Sequence, residues 1–378
     1  MTTTRALPPA PVFKEIRVQI DSQSWKAGTA PPTLNALAGL QRVNMLDVLN
    51  EIAVLTTPPI AYGFTTAETW AWRRYFPALD IATPLRLRQE WSDLDPHQKN
   101  ILSDDLGMGF PIHLLRSALG LQVVTATHYF LRQVARRQTA VNAYLLRSGK
   151  RGPAKSPDFV AIDRNQSVHV IECKGSQSDR DTLSGLMRNG LPQKRNVVFP
   201  NATVGERLVA GLFIPQYHGG EDACVRICDP EPEDPIEINL RFEEILDIII
   251  RGELASTLHA ARLPTLANLI AEDERDAVSN NLAVRREIDA LPRSRDDVSD
   301  RRGVRQEFSW TLEREDRRES HRLDLEVGID ADVLDAVLNP RQSLIELFYQ
   351  GKRHREEQVE GELVSRSALG FYFRARFD

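Results

Sequence analysis

The sequence predicts an α/β fold, and three consecutive stretches in the middle of the chain are the basis for it. VHVIECKG alternates apolar residues at Val168 and Val170, as a strand with one buried face does, and RLVAGLFIP is a nearly continuous apolar run suited to a central strand. Between them, DRDTLSGLMRNGLPQKRN is typical of a helix that begins near Asp181. A strand, a helix and a buried strand in this order indicate a crossover unit, in which helices cover a sheet.

The length of 378 residues predicts more than one domain, because a single domain usually has roughly 100 to 200 residues. Residues 1–105, broken by prolines, are expected to form a helical or mixed N-terminal region, and residues 106–235 the α/β core. The acidic, proline-rich stretch DPEPEDP ends that core, because it continues neither a helix nor a strand. Residues 236–378 are expected to form a C-terminal α+β region.

Elements within these regions follow from apolar periodicity. Ile112 to Arg136 predicts one apolar helical stretch, and Ile236 to about Ala290 is helix-like. Interleaved charges make residues 292–322 a charged linker or an exposed helix. The tail predicts helices from Asp330 to Leu338 and around Ser343 to Tyr349, and a final strand in ALGFYFRARF.

Composition narrows the class of protein. The formal net charge of -5 provides no global basic field, so binding of nucleic acid would need a local cluster of Lys and Arg. Three cysteines are too few for a disulfide framework, which fits a reducing, cytoplasmic location. No apolar run approaches the ~20 residues that span a bilayer, and the first residues lack the features of a secretory signal and indicate a flexible lead.

Two further motifs each allow a functional and a structural interpretation. Cys224 and Cys228, with His218 nearby in sequence, could seed a metal site, but buried cysteines on a strand explain them equally simply. The TWAWRRYF stretch could stack nucleic-acid bases, or it could be a helix with a buried aromatic face. Its aromatic residues are Trp70, Trp72, Tyr75 and Phe76.

The strongest chemical signal lies in SPDFVAID and VHVIECKG. Asp158 begins one strand-like run, while Glu172 and Lys174 are two residues apart, so on a strand they project from the same face. If a turn at residues 163–166 joins the runs as a hairpin, Asp158 lies beside Glu172. Two carboxylates can hold a hard divalent cation, with the backbone carbonyl of Cys173 as a third oxygen ligand. Lys174 would then orient or deprotonate a water, or offset charge on a phosphate.

These residues resemble the motif of the PD-(D/E)XK nuclease superfamily. Pro157 and Asp158 match its PD, and Glu172, Cys173 and Lys174 match its E-x-K. The resemblance implies a restriction-endonuclease-like mixed central sheet flanked by helices, and a site that uses Mg²⁺, for which Mn²⁺ can substitute. Gln193 followed by Lys194 resembles a pair found in several branches of the superfamily, which implies that Gln193 contacts the phosphate or the water and Lys194 the nucleic-acid backbone.

Some features of the resemblance stay open. Many members carry an additional Glu on a helix before the first core strand, whereas residues 113–137 contain no acidic residue. Asp104, Asp105 or Gln133 could substitute, and one metal ion is the expectation. Basic residues that could hold phosphates precede and follow the motif: Arg147, Lys150, Arg151, Lys155, Arg188, Lys194 and Arg195.

Two functions therefore compete. The favoured one is a divalent-metal-dependent endonuclease acting on nucleic acid, DNA in preference, as an effector of restriction or anti-phage defence, either as a homo-oligomer or with a partner protein. The alternative is an inactive subunit that retains the nuclease fold for nucleic-acid binding or assembly. A purely structural interpretation of Asp158, Glu172 and Lys174 as cross-strand ion pairs also exists.

Overall fold

The structure is a computed structural model, and it describes most of the chain. The described residues are 12–61, 75–80, 82–148, 156–194, 197–229, 236–291, 301–314, 317–350, 355–359 and 362–377. Within them, side chains are not described at 146–148, 191–194, 301–323, 355–359, 362–363 and 376–377. The N-terminal lead, Trp70 and Trp72, and residues 149–155 fall outside the described residues.

The described residues up to position 241 form nine strands, which come before the long apolar helix Phe242–Ala260. They are β1 Phe13–Ile20, β2 Gly39–Asn44, β3 Leu121–Ala126, β4 Phe159–Asp163, β5 Val168–Ser176, β6 Val197–Val198, β7 Val204–Phe213, β8 Cys224–Cys228 and β9 Ile236–Glu237. Seven of them form one sheet in the order β2-β1-β8-β7-β5-β4-β3, and β6 pairs with β9. Pairs β5–β7 and β1–β8 are parallel, and the other pairs of the large sheet are antiparallel.

Helices cover both faces of this sheet. They are α1 Pro32–Asn35, α2 Met45–Leu55, α3 Pro96–Leu119, α4 Thr127–Ala135, α5 Thr139–Ser148, α6 Arg180–Lys194, α7 Phe242–Ala260, α8 Pro264–Ala271, α9 Leu282–Ala290, α10 Ala331–Leu338 and α11 Leu344–Gln350. Ala210 of β7 lies in one core with Leu106 and Phe110 of α3. Its neighbour Val209 packs with Leu183 of α6, because successive strand residues point to opposite faces. The predicted α/β class with a mixed central sheet between helices is confirmed.

The predicted single helix from Ile112 to Arg136 is wrong. Helix α3 ends at Leu119, Gly120 adopts φ +68, and β3 follows before α4 begins. A glycine in the left-handed region ends a helix at low cost, since it has no Cβ to clash. The β-branched run of β3 then pairs antiparallel with β4, with Val124 opposite Ala161. Apolar content alone did not separate a buried strand from the helices on either side of it.

The N-terminal region is not separate from the α/β core. Strand β1 pairs in parallel with β8, with Val18 opposite Val225, and β2 extends the same sheet. The expected boundary at residue 105 lies inside α3, a continuous helix of 24 residues whose buried residues extend from Leu102 to Arg116. Strands that are far apart in the chain complete the sheet, and no local sequence pattern predicts that they pair.

The expected charged linker at residues 292–322 is also wrong over its described part. Residues 301–314 form β10 and residues 317–330 form β11, which pair as a long antiparallel hairpin. Strands β12 Arg355–Val359, β13 Glu362–Arg366 and β14 Phe371–Phe377 complete a second sheet in the order β10-β11-β14-β13-β12. Buried Phe371 and Phe373 of β14 lie beside β11, so tertiary pairing decides this conformation. The predicted helices of the tail correspond to α10 and α11, and the predicted last strand is β14.

Within the described residues, no helix combines the length and the apolar character that crossing a membrane requires.

Candidate active site

The candidate residues meet where β4 begins and β5 ends. Phe159 of β4 lies opposite Ile171 of β5, so Asp158, one residue earlier, comes beside Glu172. The turn that sets this register is held by Asp163, whose Oδ1 accepts hydrogen bonds from the backbone N–H groups of Asn165 and Ser167, both at 2.8 Å. The predicted hairpin is therefore present, and its register brings the two carboxylates together.

Hydrogen bonds fix the position of each acid. Asp158 Oδ2 accepts a 2.7 Å hydrogen bond from the backbone N–H of Cys173, and its main-chain carbonyl accepts one of 2.9 Å from Thr127 at the start of α4. The strand register places the carboxyl groups of Asp158 and Glu172 side by side, close enough for each to shift the pKa of the other. Lys174 Nζ donates to Glu172 Oε1. Glu172 is fully buried and its Oε2 has no hydrogen-bond partner among the described residues, whereas the Lys174 side chain is 22% exposed.

The electrostatics favour a bound proton or cation between the acids. Burial, reinforced by the charge of Asp158, raises the pKa of Glu172 to about 8, and burial also raises the pKa of Asp158. Burial lowers the pKa of Lys174, but the charges of Glu172 and Asp158 outweigh it and leave that pKa above its ordinary value. Lys174 is thus a stable ammonium group, and even beside it the raised pKa of Glu172 disfavours ionisation of both acids at neutral pH unless a further positive charge binds.

A third acid, Asp104 of α3, lies near the cluster. Burial raises its pKa, and the charges of Lys174 and Asp158 both act on it. Helix α3 comes this close because Gly175 has no side chain: a Cβ there would lie 1.7 Å from the carbonyl oxygen of Ser103. Of the three substitutes considered from sequence, Asp104 is therefore the one that the structure brings to the site.

The other two substitutes have different partners. Asp105 Oδ2 accepts a hydrogen bond from the hydroxyl group of Tyr75, which is fully buried. Gln133 Nε2 donates to the carbonyl of Ala271 at 3.2 Å, so its amide serves the contact between α4 and α8. Tyr75 is a core residue, which favours the structural interpretation for that end of the TWAWRRYF stretch.

Helix α6 closes the cluster from the other side. A Cβ on Gly190 would lie 3.1 Å from Glu172 Cγ and 3.2 Å from Lys174 Cε, so the helix backbone rests directly on both side chains. Gln193 and Lys194 are the last two residues of this helix, less than one and a half turns after Gly190. Their side chains lie outside the described part of the structure, as do Lys155 and Arg195 entirely.

The donor set fits a hard divalent cation. In a strand the N–H and C=O of one residue point to the same side, so the Cys173 carbonyl lies on the side of Asp158, to which its N–H donates. Among the described residues, no group of three or more His, Cys, Asp or Glu side chains is arranged to hold a metal ion. The available donors are the carboxylates of Asp158 and Glu172 and the backbone carbonyl of Cys173. Such a set suits Mg²⁺, which is usually held by one or two carboxylates while it keeps several waters.

The alternative zinc site has no support in the described residues. Cys224 is buried on β8 and packs with Leu183 and Met187 of α6, and Cys228 borders the same small core. These contacts match the structural interpretation, in which both cysteines are apolar strand residues.

Sequence analysis did not find the contribution of α4, and on α6 it named Gln193 and Lys194 but not Gly190. Helix α4 starts beside Asp158 and exposes His128 and Arg132, and burial together with the charge of Arg132 lowers the pKa of His128. The only local signals were the glycine at position 190 and the basic residues in a stretch assigned to a longer helix.

Comparisons of the chain with protein-family models, with curated proteins and with solved structures found no match.

Proposed function

We propose that this protein is a divalent-metal-dependent nuclease that hydrolyses phosphodiester bonds, with DNA as the favoured substrate. The observation that supports the proposal is the register of β4 and β5, which places Asp158 beside Glu172, with the ammonium group of Lys174 donating to Glu172. Cross-strand ion pairs on an exposed sheet face would not explain two acids side by side, one of them fully buried.

Each residue has a distinct task in this proposal. Asp158 and Glu172, with the Cys173 carbonyl, hold Mg²⁺, and Mn²⁺ can replace it; when bound, such an ion polarises the phosphate and lowers the pKa of a water. Lys174 remains protonated and offsets the charge that develops on the phosphate, rather than removing a proton from water. Gln193 positions the phosphate or the attacking water.

Asp104 supplies a third negative charge at the edge of the site. Because it lies close enough for its pKa to respond to Lys174 and Asp158, its carboxylate can orient a water of the cation or the ammonium group of Lys174. In this protein Asp104 of α3 would thus take the place of the additional Glu that many PD-(D/E)XK nucleases carry.

Substrate binding is assigned to basic side chains around the cluster. His128 and Arg132 of α4 and Arg188 of α6 are exposed, and Lys155, Lys194 and Arg195 are proposed to contact the backbone of the nucleic acid. The protein carries a net charge of -5, so this local group must provide the attraction. Binding should therefore weaken steeply as salt concentration rises.

The finer fold and the biological setting are part of the same proposal. The β4–β5 hairpin, α6 and the parallel strand β7 follow one another in the order that a restriction-endonuclease-like core requires. By analogy with that fold, we propose a cytoplasmic effector of restriction or anti-phage defence that acts as a homo-oligomer or with a partner protein.

The test is cleavage of plasmid DNA, linear DNA and single-stranded RNA with Mg²⁺, Mn²⁺ or EDTA. Asp158→Asn, Glu172→Gln and Lys174→Ala should each reduce metal-dependent cleavage by about 100-fold or more, because each removes charge that acts on the reacting phosphate or its cation. Asp181→Asn is the control, since Asp181 is an exposed acid in the first turn of α6.

Two results would contradict the proposal. Lys174→Ala cutting as fast as the parent would remove Lys174 from the site. DNA binding without cleavage under every metal condition would support the inactive, nuclease-fold binding subunit instead. Calorimetric titration of Mg²⁺ into Glu172→Gln provides a readout that is independent of turnover, and binding should be lost in this variant.

A further inference from the structure

A cavity of about 320 Å³ lies beside helix α6, and none of its lining residues belongs to the cluster of Asp158, Glu172 and Lys174. Its walls come from α6, from β8 and from the segment after β1. The lining residues are Asp21, Ser24, Ser184, Met187, Arg188, Arg226, Ile227 and Cys228. This volume is at the lower end of the range of about 300–1,000 Å³ that is typical of small-molecule sites.

The lining combines positive charge with hydroxyl groups. It contains two guanidinium groups, Arg188 and Arg226, and one carboxylate, Asp21. Arg226 Nη1 donates to the hydroxyl group of Ser184, which itself donates to the Arg180 carbonyl at 2.7 Å, so the guanidinium is held in place by α6. Guanidinium groups present several N–H donors in a planar fork that matches the oxygens of a phosphate.

One wall of the cavity is apolar. Met187 packs into a small core with Leu183, Val209 and Phe213, and Cys228 borders that core. Arg226 lies between Cys224 and Cys228 on the same face of β8, because alternate strand residues share a face. The two arginines can therefore bind an anionic group, and the apolar surface around Met187 can pack against a flat, weakly polar ring of the same ligand.

We infer that this cavity binds a phosphate-bearing ligand of mononucleotide size, with its phosphate on Arg188 and Arg226 and its ring against Met187. The same chemical group has two sources, a free nucleotide or the 5′-phosphorylated end of a nucleic-acid strand. No residue of the cavity belongs to the Asp158, Glu172 and Lys174 cluster, and the inference shares only Arg188 with the substrate contacts of the proposed nuclease.

The test measures binding by calorimetry in EDTA, so that cleavage plays no part. The probes are AMP, adenosine, inorganic phosphate, and one short oligonucleotide with either a 5′-phosphate or a 5′-hydroxyl. AMP should bind at least about tenfold more tightly than adenosine, because charge-assisted hydrogen bonds to the phosphate are lost in adenosine.

The variants are Arg226→Gln and Arg188→Gln. Each should weaken AMP binding by about tenfold or more, and Arg285→Gln should leave it unchanged. Arg285 is an exposed control on α9, where its guanidinium donates to the Ser279 carbonyl at 2.8 Å. Since Arg188 is exposed, its replacement does not endanger folding, and thermal unfolding checks Arg226→Gln.

The outcomes distinguish a free nucleotide from a 5′-phosphorylated strand end, and some of them contradict the inference. Arginine-dependent binding of AMP identifies a free nucleotide, whereas arginine-dependent preference for the 5′-phosphorylated strand without AMP binding identifies a strand end. The inference is overturned if neither AMP nor the 5′-phosphate is recognised at millimolar concentration, or if both arginine variants bind the probes as the parent does.

Discussion

Two buried clusters of this protein each join two carboxylates to one basic side chain, and they differ in where the base sits. In the structural cluster, Arg116 of α3 lies between the acids, with Nε 2.6 Å from Glu51 Oε1 and Nη2 2.9 Å from Glu253 Oε1. Glu253 also accepts a hydrogen bond from the backbone N–H of Val124. In the candidate active site, the acids lie side by side on neighbouring strands, and Lys174 donates to Glu172.

An unpaired oxygen does not distinguish the clusters. Glu51 Oε2 and Glu172 Oε2 both lack a hydrogen-bond partner among the described residues. Access does distinguish them, because the side chains of Arg116 and Glu253 are 5% and 2% exposed, whereas Lys174 is 22% exposed. A base that separates two acids closes a cluster for stability, whereas two neighbouring acids beside a partly exposed base leave a place for a cation.

The largest expected difference concerns removal of the base. Arg116→Met should lower the free energy of unfolding by about 3–5 kcal/mol, since it leaves buried carboxylates without their counter-charge. Lys174→Met should cost less than about 1 kcal/mol, because Lys174 is partly exposed and the acid pair can keep a proton. Urea unfolding in EDTA measures both. Equal losses in the two variants would mean that the candidate site is a structural cluster as well.

The acid pair should also make Mg²⁺ binding depend on pH. The ion must displace the proton that the raised pKa of Glu172, about 8, keeps on the pair. Affinity should therefore rise about tenfold per pH unit as pH increases towards 8 and then level off. Calorimetric titrations at several pH values measure this, in buffers of different ionisation enthalpy to count released protons. An affinity that stays constant below pH 8 would contradict the proton-sharing pair.

The smallest expected effect concerns the backbone contact of α6. A methyl group at Gly190 would press on Glu172 and Lys174 at 3.1–3.2 Å, so Gly190→Ala should reduce cleavage by about tenfold and change stability by less than about 1 kcal/mol. Gly185→Ala is the matched control, because a Cβ at Gly185 meets nothing within 4 Å. Helix propensity alone should stabilise that control by about 0.5–1 kcal/mol. Cleavage rates that fall equally in both variants would remove the special role of Gly190.

Sequence reasoning succeeded where the interactions are local. A short turn and the two-residue period of strands were sufficient to bring Asp158 beside Glu172 and to place Lys174 on the same face. It failed where remote segments decide, as in the pairing of β1 with β8 and of β11 with β14. It also failed at β3, because an apolar run between two helices carries no period that distinguishes it from them.

By itself, then, the sequence determined the α/β class and the cluster of Asp158, Glu172 and Lys174, since both follow from neighbours in the chain. Only the tertiary structure decided that Asp104 joins this cluster, that Gly190 brings α6 onto it and that Arg116 separates its own pair of acids. The physical reason is that burial and charge act through space. The pKa of a carboxyl group depends on how completely it is desolvated and on which charges surround it, and residues far apart in sequence set both.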